Sequence, residues 1–165
     1  MRYILITLLG MLVFTACNKV ESPTSREEEL RQGRWKRTDL KIKYDPYIGD
    51  DKLVEYYATM MPDCKKDNYI VFKMNHDATL NSGDQKCDNV PDPDKISFYW
   101  SLEDNKRRIT LLNANDMFFD SSTIDAKFEK YSSKQFEISY VDYTQNAFNS
   151  TKKDTITYYY TFTKF

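Results

Sequence analysis

The sequence has little of what most enzymes and nucleic-acid-binding proteins depend on. Its only histidine, His76, falls in a predicted tight turn, which leaves no ready Ser–His or Cys–His pair for nucleophilic catalysis. Its 24 Lys+Arg are balanced by 25 Asp+Glu, so there is no basic excess to attract a nucleic acid. We therefore expect no enzymatic activity, no cofactor and no nucleic-acid partner.

The uncharged N-terminal run is too short to be a transmembrane helix. It extends from Tyr3 to Ala16 behind the single charge of Arg2, whereas a spanning helix needs about 20 apolar residues. A basic start, a short apolar middle and a small residue at the end match a secretory signal. The end of the run, Phe14-Thr15-Ala16-Cys17, also resembles the lipobox of bacterial lipoproteins. The alternative is an ordinary secretory signal that contains a cysteine.

The lipobox resemblance implies an address in the cell envelope. Residues 1–16 would be removed as a signal peptide, and Cys17 would carry two or three acyl chains, enough for stable anchoring to a membrane. Asn18 follows Cys17, and the absence of Asp at this position favours the outer membrane, on either its periplasmic or its surface face. Residues 17–29 are then a flexible tether, and residues 30–165 form one domain.

Cysteine is scarce as well, with three in the chain. Assigning Cys17 to lipid leaves Cys64 and Cys87, an even pair that we expect to form a disulfide in an oxidising compartment. The alternative is a metal-binding pair, but the two cysteines lack CxxC spacing. The acidic loop 87–94 lacks the spacing and the glycine of an EF-hand calcium loop, so no metal site is predicted.

Apolar and polar residues alternate with a period of two over eight segments after Gly33. The first segment contains Leu40, Ile42 and Tyr44, and the last contains Ile156, Tyr158, Tyr160 and Phe162. Short links rich in Asn, Asp and Ser predict tight turns between sequential neighbours. The pattern predicts an all-β fold, an eight-stranded up-and-down antiparallel barrel whose closure removes exposed edges. One segment, residues 51–61, has helical spacing instead and predicts a short helix between the first two strands.

Three stretches resemble small bacterial lipocalin-like lipoproteins. They are the G-x-W of Gly33-Arg34-Trp35, the cysteine and strand of residues 61–72, and the predicted hairpin of residues 96–111. The resemblance covers residues 30–165 and implies a barrel whose floor is plugged by Trp35. Lipocalins place an arginine over this tryptophan, where the present chain offers Lys164. The family implies ligand binding or no known activity, and it implies no substrate.

Large aromatic side chains dominate the predicted interior. We take as candidate ligand-binding residues Phe72, Phe98, Trp100, Phe128, Tyr140, Tyr158 and Tyr160. Such side chains line an apolar pocket or fill it, and the sequence leaves both outcomes open. The favoured function is non-catalytic binding of a small apolar or amphipathic ligand. The alternative is a protein- or glycan-interaction module that uses outward rings over a filled barrel.

Overall fold

A computed structural model of the chain describes residues 25–46, 52–55, 62–87, 94–114, 122–145 and 151–165. Within these ranges a single α-helix, α1 (Ser25–Arg31), precedes nine strands and two short 3-10 helices, Asp63–Lys65 and Met74–His76. The strands are β1 (Arg34–Asp45), β2 (Lys52–Glu55), β3 (Tyr69–Phe72), β4 (Asp77–Asn81), β5 (Lys95–Glu103), β6 (Arg108–Leu112), β7 (Thr123–Tyr131), β8 (Gln135–Gln145) and β9 (Lys153–Lys164).

Eight of these strands close into an antiparallel barrel. From β3 to β9 each strand pairs with the next along the chain, β1 pairs with β3, and β9 returns to pair with β1. Alternate residues of each strand face the interior, so the period-two pattern becomes one buried surface. The predicted fold class, an up-and-down antiparallel barrel of lipocalin-like type, is confirmed.

Strand β2 corrects one local prediction. The segment 51–61 was expected to be helical, but Lys52–Glu55 form a strand paired with residues 41–44 of β1. The short β3 covers only residues 34–36 of the same β1 edge, which would leave the rest of that edge without hydrogen-bond partners. Residues 56–61 lie outside the described residues. Among the described residues of this connection, Asp63–Lys65 form a short 3-10 helix.

The barrel has two unlike ends. At one end, which we call the short-turn end, residues 73–76, 104–107 and 132–134 connect neighbouring strands. Asn75, Asp104 and Asn105 have positive φ there, a conformation that Asn and Asp tolerate well. At the other, the long-connection end, β1, β4, β6 and β8 end, and the next barrel strand begins 11 or more positions later in three of the four cases and eight positions later after β8. The predicted tight turns are thus confirmed, and they all lie at one end.

Helix α1 brings part of the predicted tether into the folded domain. The Arg26 guanidinium lies 4.5 Å from the centre of the Tyr131 ring, and Leu30 is fully buried. The packed structure therefore includes residues that were assigned to the tether 17–29. The predicted signal peptide and Cys17 lie outside the described residues. No helix in the described part of the chain is both long and apolar enough to cross a membrane.

Candidate functional site

Trp35 seals the short-turn end of the barrel. Its side chain is fully buried, and its Nε1–H donates a hydrogen bond to the Leu30 carbonyl at 2.8 Å. The Phe136 ring meets it edge-on, with 4.8 Å between ring centres. The indole therefore joins helix α1 to the barrel wall at the short-turn end.

Lys164 lies over the tryptophan on the last strand. Its Nζ is 5.8 Å from the centre of the Trp35 ring, within the range of a cation–π contact. A Cβ on Gly33 would lie only 2.6 Å from Lys164 Cε, so the glycine makes room for the lysine stem. Gly33 thus leaves space for the Lys164 side chain, and the Trp35 ring is the aromatic partner of the Lys164 ammonium group.

Helix α1 covers the rest of this end. The Arg26 guanidinium lies over the rings of Phe128 and Tyr131 and donates to the Lys106 carbonyl. The Tyr131 hydroxyl donates back to the Arg26 carbonyl at 3.0 Å. These contacts connect the helix to the turn before β6 and to the end of β7. A ligand would therefore have to enter from the opposite, long-connection end.

A continuous row of aromatic rings runs along the inner face of β8 and β9 and ends at Trp35 on β1. Its order from the long-connection end to the floor is Tyr158, Tyr140, Tyr160, Phe162, Phe136 and Trp35, with neighbouring ring centres 4.8–6.5 Å apart. Phe136 and Phe162 are fully apolar and lie nearest the floor. The three tyrosines carry hydroxyls and lie nearer the long-connection end, so the wall becomes more polar away from the floor.

Two charged side chains accompany the tyrosines. Arg37 is in register with Phe162 on the inner face of β1, and its guanidinium carbon is 5.8 Å from the centre of the Tyr160 ring. Asp154 is almost completely buried near the start of β9 and accepts a hydrogen bond from the Tyr44 hydroxyl. The described inner wall thus offers flat apolar faces, phenolic hydroxyls, the Arg37 cation and the Asp154 carboxylate.

The phenols on this wall are held in their neutral form. Burial raises the pKa of both Tyr140 and Tyr160, and to a lesser degree that of Tyr158. The hydrogen bond to Asp154 raises the pKa of Tyr44. At neutral pH these hydroxyls therefore act as hydrogen-bond donors and acceptors. A general acid or base works best when its pKa lies near the working pH, and the raised pKa values of these phenols lie far above neutral pH.

A disulfide joins two of the connections at the long-connection end. Cys64 precedes β3 and Cys87 follows β4, and their Cα atoms are 5.3 Å apart. The predicted pairing is therefore confirmed. Asp94, from the acidic loop, is ion-paired with Lys86 at 2.6 Å, and the pairing lowers the pKa of its carboxyl group. The other carboxylates of that loop, Asp88 and Asp92, lie outside the described residues.

The seven predicted ligand-binding residues separate into two groups. All face the interior, but Phe72, Trp100 and Phe128 pack toward the short-turn end. The Trp100 indole, for example, donates to the Asp77 carbonyl beside the first turn. Tyr140, Tyr158 and Tyr160 form the tyrosine part of the wall, and Phe98 is buried on β5, where it is the Cα partner of Ala78. Contact of any of the seven with a ligand stays a prediction.

Two charged members of the wall, Asp154 and Arg37, were missed by sequence reasoning. Asp154 is separated from Tyr158 and Tyr160 by an even number of positions along β9, so the alternation of the strand places it on the same inward face. Arg37 has the parity of Trp35 and not that of Leu40, because β1 contains a bulge at Thr38. Tyr44 was identified as inward-facing, but its bond to Asp154 had no sequence signal.

Searches against protein-family profiles, curated proteins and solved structures found no match. The class that the chain's own structure defines is an eight-stranded up-and-down barrel with one sealed end and a disulfide at the other.

Proposed function

We propose that this protein is a lipid-anchored lipoprotein of the cell envelope whose barrel binds a small apolar or amphipathic molecule without catalysis. The observation that carries the proposal is the inner wall of β8 and β9. It is apolar at the sealed end, and Tyr140, Tyr158 and Tyr160 place phenol rings nearer the other end. A molecule with an apolar body and a polar head fits this gradient.

The electrostatics of the wall favour binding over chemistry. Neutral phenols with raised pKa values do not exchange protons readily at pH 7, but they orient a bound polar group. His76 lies in a turn at the sealed end, where its Nδ1 is 3.1 Å from the Trp100 carbonyl oxygen. The imidazole is therefore placed at the end opposite the proposed entrance.

Native mass spectrometry of the full chain, isolated gently from its own envelope, is the first test. We expect a reproducible additional mass that is lost on denaturation, and its composition would identify the ligand. A mass that equals the polypeptide plus the lipid on Cys17, with no additional ligand, would contradict the proposal.

Two matched tyrosine variants locate the binding surface. Tyr158 is half-buried inside the barrel, and Tyr143 is 61% exposed on the outer face of the neighbouring strand. We expect Tyr158→Ala to weaken binding of the recovered ligand roughly tenfold or more, since burying an aromatic side chain contributes about 1.5–3 kcal/mol. Tyr143→Ala should leave the affinity unchanged.

The reverse result would favour the alternative function. Val141 and Tyr143 are both exposed and lie two residues apart on the outer face of β8, and Lys153 Nζ is 5.9 Å from the centre of the Tyr143 ring. If Tyr143→Ala removes binding and Tyr158→Ala does not, the protein is an interaction module that uses this outer surface.

A further inference from the structure

A polar groove lies on the outer wall of the barrel, away from the interior. Its volume is about 410 Å³, within the range of small-molecule sites. It is lined by Thr38, Asp39, Lys130, Tyr131, Ser132, Gln135, Glu137 and Thr161. The residues that alternate with these on β8 and β9, such as Phe136, Ile138, Tyr160 and Phe162, are buried inside.

The centre of the groove is one transverse row of paired residues. Lys130 on β7 pairs with Glu137 on β8, and Glu137 pairs in turn with Thr161 on β9. Thr161 pairs with Asp39 on β1, which completes the row. Neighbouring strands lie about 4.8 Å apart, so the row spans about 14 Å of the barrel surface. This length suits an extended ligand better than a single ion.

A β-bulge lies beside each end of the row. The register shifts between Phe128 and Lys130 on β7 and between Arg37 and Asp39 on β1. Bulges bend a strand and increase its local twist, and they are over-represented beside functional sites. Ser139 fixes the first bulge by donating to Glu129 at 2.7 Å, and Thr38 fixes the second through Thr163, with 3.0 Å between hydroxyl oxygens.

The chemistry of the lining selects the class of ligand. It combines two carboxylates, one ammonium, one amide and several hydroxyls, so hydrogen-bond donors and acceptors alternate over the surface. The side chain of Glu137 is only 17% exposed, and Lys130 Nζ contacts its Oε1 at 3.4 Å. Asp39 is likewise ion-paired with Lys41, with 3.9 Å between Nζ and Oδ2, so the charges around the groove are balanced and favour a neutral polar ligand. The lack of large apolar side chains along the row disfavours a lipid.

From this geometry we propose that the outer groove is a binding site for an oligosaccharide. Glu137, Thr161 and Asp39 bind successive hydroxyl groups along the row, and the edge of Tyr131 contacts a sugar ring. This site is independent of the barrel interior and adds a second binding surface to the protein.

The test uses the full chain, labelled with ¹⁵N and titrated with diacetylchitobiose, cellotetraose or maltotetraose. We expect at least one sugar to shift backbone amide signals of β1, β8 and β9 along the row. Glu137→Gln, which keeps the shape and removes the charge, should weaken binding at least tenfold. Thr161→Trp, which fills the groove, should abolish it.

Matched variants decide whether the groove is responsible. Asp125 is an outward carboxylate on β7, ion-paired with Arg108 outside the groove, so Asp125→Asn should leave sugar binding unchanged. Tyr158→Ala should leave it unchanged too, because that ring faces the interior. The proposal is overturned if none of the three sugars shifts the groove amides at about 10 mM, or if Glu137→Gln and Thr161→Trp bind as the wild type does.

Discussion

Trp35 connects helix α1 to the barrel floor through a single indole. We expect Trp35→Phe to lower the free energy of unfolding by about 2–4 kcal/mol. The smaller ring leaves a cavity beside Phe136, and the buried Leu30 carbonyl loses its 2.8 Å hydrogen bond. Urea denaturation followed by circular dichroism measures the change.

Tyr99→Phe is the control for Trp35→Phe. Tyr99 is 52% exposed on the outer face of β5, and a surface change of this kind alters stability by about 0.5 kcal/mol or less. Equal effects of the two variants would show that Trp35 does not seal the floor.

Single positions also show how far the sequence predicts the site. Trp35 was identified from the G-x-W motif, and the tyrosines were identified because the period of two places them on the inward face. Arg37 was missed because the bulge at Thr38 changes the phase within one strand. The outer groove was missed for the same reason, since Thr38 and Asp39 are polar residues whose role depends on that bulge.

At the scale of strands, β8 and β9 hold two buried tyrosines that make stability depend on alkaline pH. Tyr140 and Tyr160 titrate near 10.0 in the unfolded chain, and burial raises both pKa values in the folded one. Above about pH 10 the unfolded chain loses phenolic protons that the folded chain keeps, so stability falls as pH rises. Below that pH their contribution is constant.

Denaturation in urea between about pH 8 and pH 11 measures this dependence. Tyr140→Phe and Tyr160→Phe should each reduce the loss of stability at high pH, and Tyr143→Phe on the outer face should not. A stability that is flat across this range, or identical in all three variants, would mean that the buried phenols titrate normally.

The disulfide acts on two connections rather than on the strands themselves. Cys64 and Cys87 are 23 residues apart in sequence, and closing a loop of this size stabilises a fold by about 3 kcal/mol. We expect Cys64→Ser/Cys87→Ser to lower the melting temperature by roughly 6–12 °C. Cys17→Ser should not change it. A double variant as stable as the wild type would show that the crosslink adds nothing to the barrel.

Elements differ in how well the sequence predicts them. The eight barrel strands follow from alternation, because an antiparallel sheet with one buried face imposes that period. Strand β2 does not follow from alternation, since residues 52–55 lie in a segment with helical spacing. They pair with β1 because β3 leaves part of the β1 edge open. Pairing with a neighbouring strand determines the secondary structure of such a segment, and the spacing of its apolar residues does not reveal that pairing.

At the scale of the whole molecule, the sealed barrel and the predicted lipid anchor on Cys17 lead to a prediction about location. Helix α1 begins at Ser25, eight positions after Cys17, and packs at the short-turn end. If Cys17 carries the anchor, the sealed end is the one tethered to the membrane, and the long-connection end is free to take up ligand. We expect the native chain to begin at Cys17, to carry acyl chains and to fractionate with membranes.

Intact-mass analysis and membrane fractionation test this together. Cys17→Ser should remove the lipid mass and move the protein to the soluble fraction, with the barrel still folded. The Cys64→Ser/Cys87→Ser variant should stay with the membrane, since its anchor is intact. A native chain that begins after Cys17, or that has the mass of the bare polypeptide, would mean an ordinary secretory signal and a protein released from the membrane.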